Sequence, residues 1–253
     1  MEILIGSTGF VGEHLARCHN FSLKVHRSDL EAISGIHADV LVCAGLPAEK
    51  WRANQDPHSD WVNMARLAQT LTTVQARRAV LISTIDVYQP PVEVSESNPP
   101  TFNGMQAYGA HRAWFEMFFQ AQFPDSLVLR LPALFAPDVR KNLVHDLLFN
   151  KADQWKNVNP DSTFQYFDVR HTWTMIERAW IEGINVLNIA TEPIRAQQIA
   201  DIFDIGLSSV STPVHYQMYS NHAETLGGHA NYLYSSASIL AGISALHESR
   251  FIR

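Results

Sequence analysis

Within its first eighteen residues the chain sets down Glu2-Ile-Leu-Ile5, then Gly6-Ser7-Thr8-Gly9-Phe10-Val11-Gly12, then Glu13-His-Leu-Ala-Arg-Cys18. An apolar strand that runs through a glycine triplet straight into an amphipathic stretch is the opening of a βαβ unit. In such a unit the backbone amides of the turn and the helix N-terminus cradle a pyrophosphate. Gly6 admits the turn, Gly9 the close approach of a phosphate, and Gly12 the packing of helix on strand. The whole segment, with Ser7, Thr8, Phe10 and Val11 between the glycines, is the candidate dinucleotide-binding turn.

The rest of the chain extends this unit. Apolar strands at Ile3–Ile5, Leu23–His26, Val40–Ala44, Ala79–Ser83 and Ser126–Leu131 alternate with helical patterns at Gly9–His19, Ser59–Val74 and Tyr108–Phe123. Near-continuous apolar strands separated by amphipathic helices predict an α/β fold, a Rossmann-like doubly wound parallel sheet with helices on both faces. Between Ile85 and Ala107 stand Pro90, Pro91, Pro99 and Pro100. This reads as a long loop after a central strand, a usual place for function. After Pro132 the alternation loosens. Helices are expected at Asn142–Asn150, His171–Ile181, Arg195–Phe203 and Ser236–Ala241, and short strands near Gln165–Asp168, Val186–Ile189 and Pro213–Gln217. The expected organisation is a dinucleotide-binding domain over residues 1–135 and a smaller substrate-binding lobe over 136–253, partly interleaved with it.

Composition narrows the function classes. The 19 Lys and Arg against 25 Asp and Glu give a formal charge of -6, with no basic tract beyond Arg77-Arg78 and Arg140-Lys141. Nucleic acid and anionic membrane are therefore not expected partners. Cys18 and Cys43, both in apolar stretches, read as small buried hydrophobes of a reducing compartment. No apolar run approaches the ~20 residues that span a bilayer, and the first strand starts too early to follow a cleaved signal. A soluble, cytoplasmic protein is expected. The 12 histidines are scattered without the spacing of a zinc site, so no metal is expected.

The end of the second strand bears on the cofactor. A carboxylate there would take the adenine-ribose hydroxyls of NAD. This strand ends Val25-His26-Arg27-Ser28, with Asp29 further on. Arg27 and Ser28 suit a 2'-phosphate through charge-assisted hydrogen bonds, which favours NADP with NAD as the alternative.

Two further segments make the pattern specific. One is the strand end Ile82-Ser83-Thr84-Ile85-Asp86-Val87-Tyr88, and the other is Tyr108-Gly109-Ala110-His111-Arg112, which opens a helix beyond the proline-rich loop. Together they resemble the extended short-chain dehydrogenase/reductases that act as nucleotide-sugar epimerases, dehydratases and reductases. Asp39-Val-Leu-Val-Cys-Ala44-Gly45 is similar to the family's fourth strand, Asn63 to its helix asparagine, and Leu129-Arg-Leu-Pro-Ala-Leu-Phe-Ala136 to the strand leading to substrate. Asn142-Leu-Val-His-Asp-Leu-Leu148 and the short Arg27–Leu30 connection resemble the dehydrorhamnose reductases most. The resemblance implies an acid/base pair of Thr84 and Tyr108, a nicotinamide cofactor touching Ala44 and Gly45, and a cation one helical turn after Tyr108. The family has lysine there; this chain has Arg112. Arginine keeps the charge but never releases its proton. Two roles stand open for it: a place in the cofactor pocket beside Tyr108, or a surface pairing with Glu116.

The neighbourhood of Thr84 selects among the family's reactions. Dehydratases of this type carry Thr-Asp-Glu where this chain has Thr84-Ile85-Asp86, and fucose-synthase-type enzymes need a cysteine that is not present there. What the resemblance leaves is epimerisation through a keto intermediate or reduction of a keto sugar. Substrate contacts would come from Asp86, from Arg140, Lys141 and Asn142 at the diphosphate, and from Gln165 and Arg170 at the far wall. The resemblance also implies a homodimer joined through the tyrosine helix, which carries Trp114 and Phe118. A second reading from Arg112 is a binding module that keeps the cofactor fold and reports nicotinamide redox state without turnover.

Overall fold

Strands buried on both sides need apolar residues at every position, and Ile3, Leu4 and Ile5 are each at most 1% exposed. The computed structural model, which describes residues 1–249, builds outward from this strand. β1 (Glu2–Ile5) is followed by α1 (Phe10–Cys18), β2 (Leu23–Val25), β3 (His37–Cys43), α2 (Lys50–Gln55), α3 (Pro57–Leu71) and β4 (Gln75–Thr84). Next come β5 (Val92–Val94), α4 (Ala107–Gln122), β6 (Ser126–Leu131), β7 (Ala133–Phe135), α5 (Leu143–Leu148), α6 (Ala152–Trp155), β8 (Thr163–Phe164) and β9 (Tyr166–Asp168). The chain continues through α7 (Thr172–Ile181), β10 (Val186–Asn188), β11 (Ile194–Arg195), α8 (Ala196–Asp201), β12 (Gln217–Met218) and α9 (Ser236–Glu248).

Six strands form one parallel sheet in the order β2-β1-β3-β4-β6-β10. β1 lies between β2 and β3, with Ile3 opposite Leu23 on one side and Leu41 on the other. The winding therefore reverses at β1 and β3, and open α/β sheets bind ligands outside the strand ends at such a switch point. Asp39–Gly45 contains the chain's third strand, and a kinked 3₁₀ stretch, Arg27–Ile33, precedes it. One face of the sheet packs Ile3, Ile5, Leu41, Cys43 and Leu81 against Met64, Leu67 and Leu71 of α3 and Phe115 and Phe119 of α4. Residues of opposite parity, Leu4, Val42 and Val80, are buried too, so the other face is also covered.

The chain divides into two compact units. The first comprises residues 1–90, 98–130 and 170–187, and the second 91–97, 131–169 and 188–249 of the described chain. A single cut at 135 does not reproduce this division, since α7 belongs with the sheet and the 91–97 segment with the second unit. The second unit has three two-stranded pairings: β7 with β9, β8 with β11, and β5 with β12. Glu96 anchors the 91–97 segment there, its carboxylate accepting from the Asn188 amide, the Ser220 hydroxyl and the Asn221 amide at 2.8–2.9 Å.

Several elements depart from expectation. α2 lay in a stretch with no helical pattern, and of its residues only Ala53 is buried. α9 runs on to Glu248 rather than stopping at Ala241, because Ile243 and Leu246 continue its buried face. The strand expected at Pro213–Gln217 is paired in two pieces: His215 bridges Thr163, and Gln217 pairs with β5 together with Met218. Cys43 is buried, but Cys18, at the end of α1, is exposed.

Candidate active site

The glycine turn is built as its spacing demands. Gly6 has φ +81°, and a Cβ there would stand 2.4 Å from the Ala44 carbonyl oxygen, so only glycine lets the turn lie against the end of β3. A Cβ at Gly12 would meet the Gly6 carbonyl oxygen at 2.1 Å. Gly9, the N-cap of α1, is different: its Cβ would meet only that same oxygen, at 3.3 Å. One side of Gly9 is thus open beside the first-turn amides of Phe10, Val11 and Gly12, which have no intrahelical acceptor. This is a cradle that fits a diphosphate, and its far wall is Ala44 and Gly45.

The end of β4 and the start of α4 bring the second cluster together. Thr84 caps the short 3₁₀ turn Ile85–Val87, its Oγ1 accepting from the Asp86 amide at 3.2 Å. Thr84 lies close enough to the Tyr108 phenol to pull its pKa down. Gly109 permits this approach, since a Cβ there would lie 2.2 Å from the Asp86 carbonyl oxygen. Tyr108 is 8% exposed. Burial pushes its phenol above the ordinary tyrosine value, and Asp86 adds to this; the pull of Arg112, Thr84 and Lys50 does not overcome it.

Arg112 corrects one of the two expectations held for it, the surface pairing. It is 1% exposed, and Glu116 is not its partner. Its guanidinium grips Asp60 on α3 with two bonds, Nη1 to Oδ2 at 2.5 Å and Nη2 to Oδ1 at 2.9 Å. It also donates to the carbonyls of Pro47 and Tyr108 at 2.6 and 3.3 Å. Its Nε is buried without a hydrogen-bond partner. Asp60 in turn accepts from His111 Nδ1 at 2.7 Å. Burial opposes the Asp60 charge, but the bonds from Arg112 and His111 outweigh it and hold the carboxyl below its ordinary value. Glu116 pairs instead with Arg130, which donates to it at 2.6–3.1 Å and to the Tyr88 hydroxyl at 2.5 Å.

Sequence reasoning missed the residues of α2. Asn54 Oδ1 accepts the Tyr108 amide at 2.9 Å, and its Nδ2 donates to Gln106 at 2.7 Å. Lys50 Nζ bonds Asp86 Oδ1 at 2.6 Å. Nothing in residues 50–55 signals these partners, which lie 36–54 positions away.

Arg27 is exposed and, with Ile5, Leu30, Gly45, Asn63 and Met64, lines an apolar hollow beside the switch point. A neighbouring cleft runs from Arg27 past Pro47 to Arg52 and Ser59. The Ser28 hydroxyl is already bonded to Asp29 at 3.0 Å and to the His26 ring at 2.8 Å. Of the substrate candidates, Arg140 and Lys141 are exposed in the second unit and Arg170 is exposed in the first. Asn142 and Gln165, also expected at the substrate, are instead engaged by backbone. Asn142 caps α5 through the His145 amide at 3.3 Å and donates to the Leu134 carbonyl at 2.7 Å. Gln165, 1% exposed, donates to the Thr191 and Met218 carbonyls and accepts from the Met218 amide, all at 2.5–2.7 Å.

No protein-family model and no curated protein matches the chain. Solved structures do. dTDP-4-dehydrorhamnose reductase from Yersinia enterocolitica superposes with a TM-score of 0.74 at 16% identity, over 97% of this chain and 99% of that one. UDP-glucose 4-epimerase from Thermotoga maritima, solved with UDP-glucose, gives 0.73 at 15% identity over 100% of both chains. A short-chain dehydrogenase/reductase superfamily protein from Agrobacterium tumefaciens, solved with NAD, gives 0.71 at 18% identity over 99% and 98%. This chain shares the Rossmann-like fold of these proteins. Within that fold, the glycine turn and the Thr84–Tyr108 pair both lie in the first unit.

Proposed function

We propose that the chain is a nicotinamide-nucleotide-dependent oxidoreductase or epimerase of this family, acting at one carbon of a nucleotide-linked sugar, with reduction of a keto sugar the favoured reaction. The observation that carries the reading is the close packing of the start of α4 on the turn after β4, where a Cβ at Gly109 would lie 2.2 Å from the Asp86 carbonyl oxygen, which sets Tyr108 beside Thr84 in the unit that also holds the glycine turn. Reducing a carbonyl requires a proton at its oxygen. A phenol whose burial raises its pKa keeps its proton near neutral pH, so Tyr108 acts as the general acid and Thr84 orients its hydroxyl. The nicotinamide, when bound, supplies or accepts the hydride.

The residues present suit such a cofactor. The amides from Ser7 to Gly12 take the diphosphate, Ala44 and Gly45 leave room at the strand end, and Arg27 takes a 2'-phosphate. NADP is the proposed cofactor. NAD is a second reading, supported by the Ser28 hydroxyl being bonded to Asp29 rather than turned to a phosphate. Arg140 and Lys141 of the second unit are proposed for the nucleotide diphosphate, and Asp86 and Arg170 of the first are further proposed substrate contacts.

Trp61, Val62 and Met117, 37%, 51% and 59% exposed, lie on α3 and α4 beside stacked Trp114 and Phe118, and we propose this face for a homodimer. Among the described residues no helix is long and apolar enough to cross a membrane. The cytoplasm is the compartment this reading calls for.

Titrating the protein with NADPH and NADH, with tryptophan quenching as readout, tests the cofactor. Turnover of nucleotide-linked 4-keto sugars, followed as loss of nicotinamide absorbance, then tests the reaction. Binding of neither nucleotide overturns the reading.

A further inference from the structure

The first unit buries four polar side chains that the proposed chemistry does not use: Ser83, Tyr88, Glu116 and Arg130, none more than 7% exposed. At their centre is the ion pair of Glu116 on α4 with Arg130 on β6. Arg130 Nε donates to both carboxylate oxygens at 3.1 Å, and Nη2 donates to Oε2 at 2.6 Å. Each partner makes one further bond. Glu116 Oε1 accepts from the Ser83 hydroxyl at 2.5 Å, and Arg130 Nη1 donates to the Tyr88 hydroxyl at 2.5 Å.

Those two hydroxyls stand on either side of one short stretch. Ser83 is the residue of β4 just before Thr84, and Tyr88 closes the 3₁₀ turn Ile85–Val87. A single ion pair therefore holds both ends of the segment that carries Thr84 and Asp86. The helix that contributes Glu116 also carries Tyr108 in its first turn, and there it rests on the same segment: a Cβ at Gly109 would lie 2.2 Å from the Asp86 carbonyl oxygen. From the ion pair to Tyr108 the route is short. It runs from Ser83 and Tyr88 into the turn, from the Asp86 carbonyl to Gly109, and from Gly109 to its neighbour.

We propose that Glu116 and Arg130 form a clamp that sets the Thr84 turn against the start of α4, with Ser83 and Tyr88 the positioning residues through which it acts. The proposal rests on the reading of Thr84 and Tyr108 as the reacting pair, and it adds what keeps them in register. A buried ion pair is a weak source of stability, because the cost of desolvating both charges offsets their attraction. Apolar side chains at these four places would pack β4, α4 and β6 together without directional bonds to fix the turn. Position matters here because a general acid must lie within hydrogen-bond reach of the oxygen it protonates, and a misplacement of about 1 Å can cost 10²-fold in rate.

Ser83→Ala and Tyr88→Phe each release one end of the turn and leave the Glu116–Arg130 pair in place, and either variant suffices should the other not fold. Two NMR measurements on the protein without cofactor or substrate test the clamp: amide hydrogen exchange, and the ¹³Cζ resonance of Tyr108 in protein with labelled tyrosine, assigned by its absence in Tyr108→Phe. The turn is reported by the amides of Asp86, bonded to Thr84 Oγ1, and Tyr88, bonded to the Ile85 carbonyl. Amides of β1 and β3, at the centre of the sheet, report global unfolding. In each variant the turn amides are expected to exchange roughly tenfold faster, those of the sheet to stay within about threefold of the wild type, and the Tyr108 resonance to move. Unchanged turn amides in a folded variant, turn and sheet amides accelerating alike, or a Tyr108 resonance that stays in place overturns the proposal; equal acceleration would mark the four residues as ordinary core. Failure to bind NADPH and NADH would sink the functional reading while leaving these measurements intact, so the two are separable.

Discussion

Arg112 lies beneath the ring of Tyr108 and not beside its hydroxyl: the guanidinium carbon is 4.0 Å from the ring centre, and Asp60 holds it there by two bonds. The residue one turn after the tyrosine has therefore become part of a buried bridge between α3 and α4. Thr84 lies near the phenol and pulls its pKa down. The buried brace and the proposed acid can be perturbed independently.

Tyr108→Phe removes the proton donor and keeps the ring on Arg112. The expected result is a loss of roughly 10²–10⁴ in the rate of hydride transfer with nucleotide binding unchanged. Thr84→Ala should reduce the rate less, because it removes a partner of the acid and not the acid. Stopped-flow absorbance of bound NADPH with a keto-sugar substrate measures both, and wild-type rates in Tyr108→Phe would remove the tyrosine from the chemistry.

Asp60 offers a test in pH. Its folded carboxyl titrates below its ordinary value because the bonds from Arg112 and His111 outweigh burial. A depressed carboxylate contributes stability that is present above the unfolded value, about 3.9, and is lost as pH falls through the folded one. Urea unfolding of the wild type should weaken as pH drops below about 4 for this reason. Asp60→Asn leaves a buried Arg112 without its counter-charge and should cost roughly 3–5 kcal/mol at pH 7. Its stability should then fall less steeply over the acid range than that of the wild type.

The contrast between Tyr108 and Asp60 also marks what could be read from sequence. β1, the glycine turn and α1 follow one another along the chain, so local spacing and hydrophobic pattern carry them. Thr84 and Tyr108 stand at the ends of strongly patterned elements, β4 and α4, and the resemblance to a family ties the two together. The Arg112–Asp60 bridge joins positions 52 residues apart, and no local pattern distinguishes Asp60 from any acidic residue in the first turn of a helix. α2 was missed because it is six residues long with one buried side chain, too short to show a 3.6-residue period. Gln165 and Asn142 look like substrate contacts from their position in the chain. Only the fold reveals that the carbonyls of Thr191, Met218 and Leu134 claim their amides. Cys18 sits on an apolar-looking segment, but it falls in the last turn of α1 and faces outward.

Arg27 is the residue on which the proposed preference for NADP rests. If its guanidinium pairs with a 2'-phosphate, Arg27→Ala should weaken NADPH binding by roughly 1.5–3 kcal/mol, about 10- to 150-fold, and leave NADH binding nearly unchanged. Fluorescence titrations of both nucleotides on both proteins give the comparison directly. An equal loss for the two nucleotides would mean that Arg27 only walls the hollow it shares with Leu30 and Met64.

The glycines of the turn separate folding from binding. A methyl at Gly12 would lie 2.1 Å from the Gly6 carbonyl oxygen, which is backbone and cannot step aside, so Gly12→Ala must shift α1 off β1. Overpacking of this kind costs typically 1–3 kcal/mol, and the melting temperature should fall by several degrees. A methyl at Gly9 meets only one atom, at 3.3 Å, and Gly9 has the extended backbone of φ -75° and ψ 160° that alanine adopts freely. Gly9→Ala should therefore melt within a few degrees of the wild type. The same methyl stands on the open side of the turn, where a phosphate must come close to the amides of α1. The expected loss of NADPH affinity in Gly9→Ala is about tenfold or more, with no matching loss of stability. Thermal melts without nucleotide, paired with nucleotide titrations of the same samples, distinguish the two effects. If Gly9→Ala binds NADPH as tightly as the wild type, the diphosphate does not lie on this turn.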